Sequence, residues 1–144
     1  MSPTRMTVPA LALTIAGALA GSLPAPAQAQ NFLATPGGAR VYPINENVFE
    51  VVGNSGRGWD MWWCGAATYA RRVLGASWQA PMSIARGLGT SQATGRKSAV
   101  QFTLNPGALG IETLKSTSPN SLVVGDTKTV QTGNVSCSRL QFPF

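Results

Sequence analysis

Histidine does not occur anywhere in the 144 residues of this chain. Its absence excludes Ser-His-Asp and Cys-His catalysis, and it excludes ligation of zinc or another metal by imidazole. Two cysteines are too few for a four-ligand zinc site, and they are not spaced as C-x-x-C. We therefore expect no metal and no cofactor, and the sequence leans against an enzyme.

Acidic residues are scarce. The chain has 5 Asp and Glu against 11 Lys and Arg, so its formal net charge is +6 at pH 7. This balance favours electrostatic attraction to anionic surfaces such as lipid head groups or acidic glycans. The chain has no Lys/Arg-rich run of the kind that follows nucleic-acid phosphates, so nucleic acid is not an expected partner.

The one long apolar run lies at the N-terminus, over residues 8–23. Its length of about 16 residues falls short of the roughly 20 that span the hydrocarbon core, so we expect no stable membrane anchor. Arg5 precedes the run, and the small-x-small motif of signal peptidase follows at 27–29 with no lipoprotein cysteine after it. We predict a bacterial Sec-type signal peptide over 1–29, cleaved before Gln30, and a periplasmic or secreted protein.

Removal of the signal peptide leaves 115 residues, which is the size of one domain. Residues 30–39 contain a Pro-Gly-Gly sequence and predict a flexible lead-in, and 40–144 predict a single globular domain. The sequence leaves the oligomeric state open.

Cys64 and Cys137 form an even pair in a chain that leaves the reducing cytoplasm, which predicts a disulfide. The bridge would close a long loop, to which the chain-entropy model assigns about 4 kcal/mol. The alternative is a free, reactive Cys64, because the dipole near a helix N-terminus lowers the pKa of a thiol.

The clearest predicted helix covers 61–74, where apolar residues recur with helical spacing. Asp60 is a candidate N-cap, Trp59 and Cys64 are placed for a hydrophobic staple, and Gly75 is placed for the left-handed residue that ends the helix. Small side chains within it predict close packing on a sheet: Gly65, Ala66, Ala67 and Ala70.

Eight short segments rich in β-branched and aromatic residues are strand candidates, and from them we expect about six strands. The candidates are 41–42, 48–52, 82–86, 99–104, 111–115, 122–124, 127–130 and 135–142. Together with the helix they predict an α+β fold, in which one main helix packs on a small antiparallel sheet and one disulfide is present.

Six residues form a candidate binding surface. The exposed ring of Trp59 or Trp62 could stack on a sugar or another flat ligand, whereas Trp63 is expected in the core. The remaining members are cationic: Arg71, Arg72, Arg96 and Lys97.

Two further sequence patterns resemble functional sites, but each also has a purely structural explanation. The glycine-bearing segment 89–98 does not match a P-loop, because five residues separate its glycines and Arg96 precedes the lysine. It remains either an anion-binding loop of N–H groups and hydroxyls or a solvated hairpin connection. Glu46 and Glu50 would lie roughly 13 Å apart on an extended strand, too far for a glycosidase pair, so we expect solvated charges.

The segments 63–76, 85–87, 94–96 and 98–104 together resemble small exported proteins of alphaproteobacteria that have no assigned activity. The resemblance covers roughly residues 40–105 and implies a periplasmic setting. It implies no catalytic residues.

These observations favour a non-enzymatic binding or interaction domain of the cell envelope. The expected partner is an envelope protein, a glycan or an anionic surface. The alternative is a thiol-dependent enzyme or redox protein that uses Cys64.

Overall fold

The computed structural model describes residues 3–4, 31–54, 56–115, 118 and 121–141. The predicted signal peptide lies outside the described residues except for 3–4, so its cleavage stays a prediction. Within the described ranges, no helix is long and apolar enough to cross a membrane.

The described chain forms one seven-stranded sheet with two α-helices and a short 3-10 helix. In chain order the elements are β1 (Phe32–Ala34), β2 (Ala39–Pro43), β3 (Phe49–Val52), α1 (Asp60–Arg72), β4 (Pro81–Gly89), β5 (Ala99–Thr103), the 3-10 helix (Pro106–Leu109), β6 (Leu114–Lys115), β7 (Asp126–Thr129) and α2 (Val130–Gln141). The strand order is β1-β2-β3-β5-β4-β7-β6, antiparallel throughout except for the parallel pair β6 and β7.

This architecture confirms the α+β fold class and corrects its finer description. The sheet is larger than predicted and mixed rather than antiparallel, and a second helix accompanies α1. Residues 32–34, which belong to the predicted flexible lead-in, form an edge strand paired with β2.

The second helix replaces the strand predicted at 135–142. Its buried residues Val130, Gly133 and Cys137 follow the spacing of one helical face. Gly133 sits where α2 approaches α1, because a Cβ there would lie 3.2 Å from Ala67 Cβ. A glycine between short β-branched runs resembles a turn in sequence, which is why the helical spacing was missed.

The core lies between one face of the sheet and α1. Val51, Val100 and Phe102 point from neighbouring strands into this layer, where the Trp63 ring meets Phe102 edge-on at 5.2 Å. A Cβ on Gly65 would lie 2.8 Å from Val51 Cγ1. The predicted close packing of α1 on the sheet is confirmed.

The ends of α1 differ in part from the prediction. The helix begins at Asp60, and the N-cap position belongs to Trp59 without a side-chain cap. Asp60 forms an ion pair with Arg139 of α2 instead, at 3.3 Å. At the other end, Gly75 has the expected left-handed backbone, with φ of 67°.

Candidate functional site

The structure divides the candidate binding surface between the two ends of α1. Trp59 lies at the N-cap and Trp62 in the first turn, whereas Arg71 and Arg72 lie in the last turn, and a helix of 13 residues is about 20 Å long. The six residues therefore do not form one continuous surface.

The N-terminal end of α1 offers one exposed indole rather than two. Trp62 is only 4% exposed, and its Nε1 donates a hydrogen bond to the carbonyl oxygen of Ser98 at 3.1 Å. Trp59 is 44% exposed, and its ring lies 6.2 Å from that of Trp62. The hydrogen bond to Ser98 places the exposed Arg96 and Lys97 segment near this end of the helix.

The glycine-bearing loop between β4 and β5 does bind an anion, and that anion is the carboxylate of Glu50. Ser91 Oγ donates to Oε1 at 2.5 Å, and Gln101 Nε2 donates to Oε2 at 2.9 Å. The backbone N–H groups of Gln92 and Ala93 donate to the same carboxylate at 3.1 and 3.2 Å. One hydroxyl and two N–H groups of the loop are therefore occupied by a carboxylate of the protein itself, whereas the side chains of Arg96 and Lys97 stay exposed.

The prediction that Glu46 and Glu50 are both solvated is wrong for Glu50, which is buried, and holds for Glu46, which is exposed. Glu50 has no exposed surface, and Arg86 Nη2 lies 3.3 Å from Oε2. Burial acts to raise the pKa of Glu50, but the hydrogen bonds from Ser91, Gln101, Gln92 and Ala93 outweigh it and hold the pKa below its ordinary value. Glu50 is an ionised structural anchor for the loop.

The C-terminal end of α1 borders a cleft of about 450 Å³ that we call the arginine cleft. Its lining comprises Thr35, Pro36, Thr68, Arg71, Arg72, Trp78, Asn134, Cys137, Ser138 and Gln141. The cleft therefore combines two guanidinium groups, one large indole and several amides and hydroxyls, which together suit a polar, negatively charged ligand.

Local contacts fix the position of one arginine and leave the other available. Arg71 Nη1 donates to the carbonyl oxygen of Ala76 at 2.6 Å, and its Cζ lies 4.3 Å from the ring centroid of Trp78. Arg72 is exposed, and among the described residues none forms an ion pair with it. Trp78 is 42% exposed, so its indole is held by Arg71 yet remains open to solvent.

The cleft retains its positive charge because acidic groups lie elsewhere. The described residues that line it include no Asp or Glu, and three of the carboxylates are engaged within the fold. Glu50 is held by the loop, Asp60 pairs with Arg139, and Asp126 is buried against Ser121. Among the described residues, a carboxylate or phosphate entering the cleft therefore meets no acidic side chain.

The predicted disulfide is confirmed, and it ties α1 to α2 rather than to a C-terminal strand. The sulfur atoms of Cys64 and Cys137 are 2.10 Å apart across a sequence separation of 73. Cys64 has no exposed surface, while Cys137 is 8% exposed and borders the arginine cleft. The bridge thus holds together the two helices that form the cleft.

The sequence patterns predicted Arg71 and Arg72 as binding residues but did not indicate that Trp78 lines the same cleft. The sequence signal that could have indicated its role was the position of Trp78 just beyond the end of α1, near the two arginines.

Across the described ranges, no three acidic or sulfur side chains cluster to hold a metal ion. Comparison of the chain with protein-family models, with curated proteins and with solved structures finds no match.

Proposed function

We propose that this protein is an exported, non-enzymatic domain of the bacterial cell envelope that binds an anionic group of its partner in the arginine cleft. The observation that carries the proposal is the pairing of Arg71 and Arg72 with an exposed indole in a concave site whose described lining includes no Asp or Glu. The predicted signal peptide and the resemblance to exported alphaproteobacterial proteins favour the location.

Electrostatics favours the cleft over the Arg96 and Lys97 segment as the main contact. In the loop that carries Arg96 and Lys97, the Ser91 hydroxyl and the N–H groups of Gln92 and Ala93 bind Glu50, so these donors do not converge with the two cations on an external anion. Guanidinium groups in a cleft can form paired hydrogen bonds with a carboxylate or phosphate, which exposed single charges do not.

The test is co-sedimentation of the purified, oxidised protein with isolated cell envelopes of the bacterium that produces it. Arg72→Glu reverses a charge in the arginine cleft and is expected to abolish most of the retention. Arg57→Glu is the matched control, because it makes the same charge change on an exposed residue before α1. The doubly substituted Arg96→Glu/Lys97→Glu protein tests the rival surface.

Retention that depends on Arg72 but not on Arg57 supports the proposal. Equal retention of all variants would contradict it, and so would loss confined to the Arg96 and Lys97 substitutions. Far-UV circular dichroism of each variant establishes that the fold is retained.

The alternative function is thiol chemistry at Cys64, and one observation favours it: the bridge reaches the arginine cleft through Cys137. The thiolate is the reactive form, so this function requires the bridge to be reduced first. Labelling of native protein with a thiol reagent distinguishes the two proposals. Labelling of Cys64 without added reductant would favour the enzyme.

A further inference from the structure

A second basic cleft, of about 390 Å³, lies on the other side of α2. Its lining comprises Lys115, Ser118, Thr127, Lys128, Thr129, Thr132, Val135, Ser136 and Arg139. Three cationic side chains and a series of hydroxyls thus face one concavity. The described residues that line it include no Asp or Glu, although Asp60 pairs with Arg139 and both Asp60 and Asp126 act electrostatically on Lys128. No sequence motif marks these residues as a site.

The two clefts flank one helix. Successive residues of an α-helix are rotated by about 100°, so Asn134 and Ser138 border the arginine cleft while Thr132 and Arg139 border the second one. Between them runs an exposed ridge that includes Gln131, and Val135, which is 49% exposed, forms its edge on the side of the second cleft. The ridge is about one helix diameter wide, roughly 10–12 Å.

The cations of the second cleft are partly held and partly accessible. Arg139 is 53% exposed and pairs with Asp60 at 3.3 Å, an arrangement that solvent weakens. Lys128 Nζ lies 4.3 Å from the ring centroid of Trp63, a cation–π contact that holds the ammonium group against α1. Lys115 is exposed on the edge strand β6.

We propose that the anionic partner is an extended acidic polysaccharide that crosses the ridge of α2 and places negative groups in both clefts. The inference rests on the proposed function and specifies its ligand. Both sites are concave, and they offer an indole and several hydroxyls, which suit sugar rings. A flat lipid surface would meet the convex ridge before either cleft.

Occupation of two clefts by one chain predicts that affinity rises with ligand length. Binding in the second cleft becomes intramolecular once the first is occupied, and such linkage strengthens binding without any new contact type. We expect long-chain polygalacturonate to bind at least about tenfold more tightly per uronate unit than trigalacturonate. Isothermal titration calorimetry of the oxidised exported protein at low ionic strength measures both affinities.

Two variants separate this inference from the proposed function. Lys115→Gln/Arg139→Gln removes two cations from the second cleft and is expected to lose the gain with length while keeping the affinity for trigalacturonate. Asp60→Asn is the matched control, because it breaks the same ion pair but leaves Arg139 charged, and it should keep the gain. The Lys115→Arg/Arg139→Lys protein retains both positive charges and should therefore keep the gain in affinity with ligand length.

The outcomes are distinguishable. If trigalacturonate binding depends on Arg72 but length brings no gain, or if Lys115→Gln/Arg139→Gln keeps the gain, this inference is overturned and the proposed function stands. Binding to phosphatidylglycerol vesicles without binding to either uronate ligand would overturn it in favour of a membrane partner. Failure of every anion to bind overturns both.

Discussion

Replacement of the buried carboxylate in Glu50→Gln is expected to destabilise the domain and release the loop between β4 and β5. The carboxylate accepts four hydrogen bonds from Ser91, Gln101, Gln92 and Ala93. A glutamine amide can accept at its oxygen, but its NH₂ group faces donors and leaves them unpaired. Each unpaired buried donor costs about 1–3 kcal/mol, so we expect a loss of about 3 kcal/mol.

Arg86 adds to this cost to a limited extent. Its guanidinium lies 3.3 Å from the carboxylate, and loss of the charge leaves it without its partner. The side chain is 35% exposed, however, so water compensates for part of the lost attraction. The hydrogen bonds therefore dominate the expected loss of free energy.

Thermal and urea-induced unfolding measure the effect. A loss of about 3 kcal/mol lowers the Tm of a domain this small by roughly 10–15 °C. Glu46→Gln is the matched control, because the same chemical change falls on an exposed residue and should leave the Tm unchanged. If Glu50→Gln melts within a degree or two of wild type, the carboxylate does not anchor the loop.

The dependence on pH provides a second measurement of the same anchor. Because the folded-state pKa of Glu50 is lowered, its ionised form stabilises the fold at pH values above the ordinary pKa of 4.5. That contribution is lost as the pH falls from about 4.5 through the lower folded-state pKa. The stability difference between wild type and Glu50→Gln should therefore shrink over this range of acid pH.

Two further predictions concern the packing of α1. The doubly substituted Cys64→Ser/Cys137→Ser protein should lose about 2–5 kcal/mol of unfolding free energy, and an unchanged Tm would reopen the reactive-thiol alternative. Gly65→Ala should lose about 1–3 kcal/mol of unfolding free energy although alanine favours helices, because its Cβ would lie 2.8 Å from Val51 Cγ1. Gly56→Ala is the control, because a Cβ there would lie in open space, and equal Tm values of the two variants would contradict the close approach of α1 to the sheet.

Local pattern was sufficient to predict one helix and several strands. The spacing of apolar residues predicts α1, and alternation predicts β5, because each element buries one face that repeats with its own period. The even pair of Cys64 and Cys137 likewise predicts the disulfide, from the number of cysteines and the predicted export. The absence of histidine limits the chemistry whatever the fold.

α2 shows where local pattern fails. Its buried face includes Gly133, a residue that weakens helices when considered alone. The benefit of glycine there is the close approach of α2 to Ala67 on α1, and that partner is 66 positions earlier in the chain.

The burial of Glu50 and the formation of the arginine cleft could not be predicted from local pattern for the same reason. The donors that bind Glu50 come from 41–51 positions further along the chain, so no local pattern marks this carboxylate as buried. The sequence by itself determined which cations are present and supplied Arg71 and Arg72 on one helical turn. Only the packing of α2 beside them decided that they line a cleft with Trp78, because a concave site is formed by elements distant in sequence.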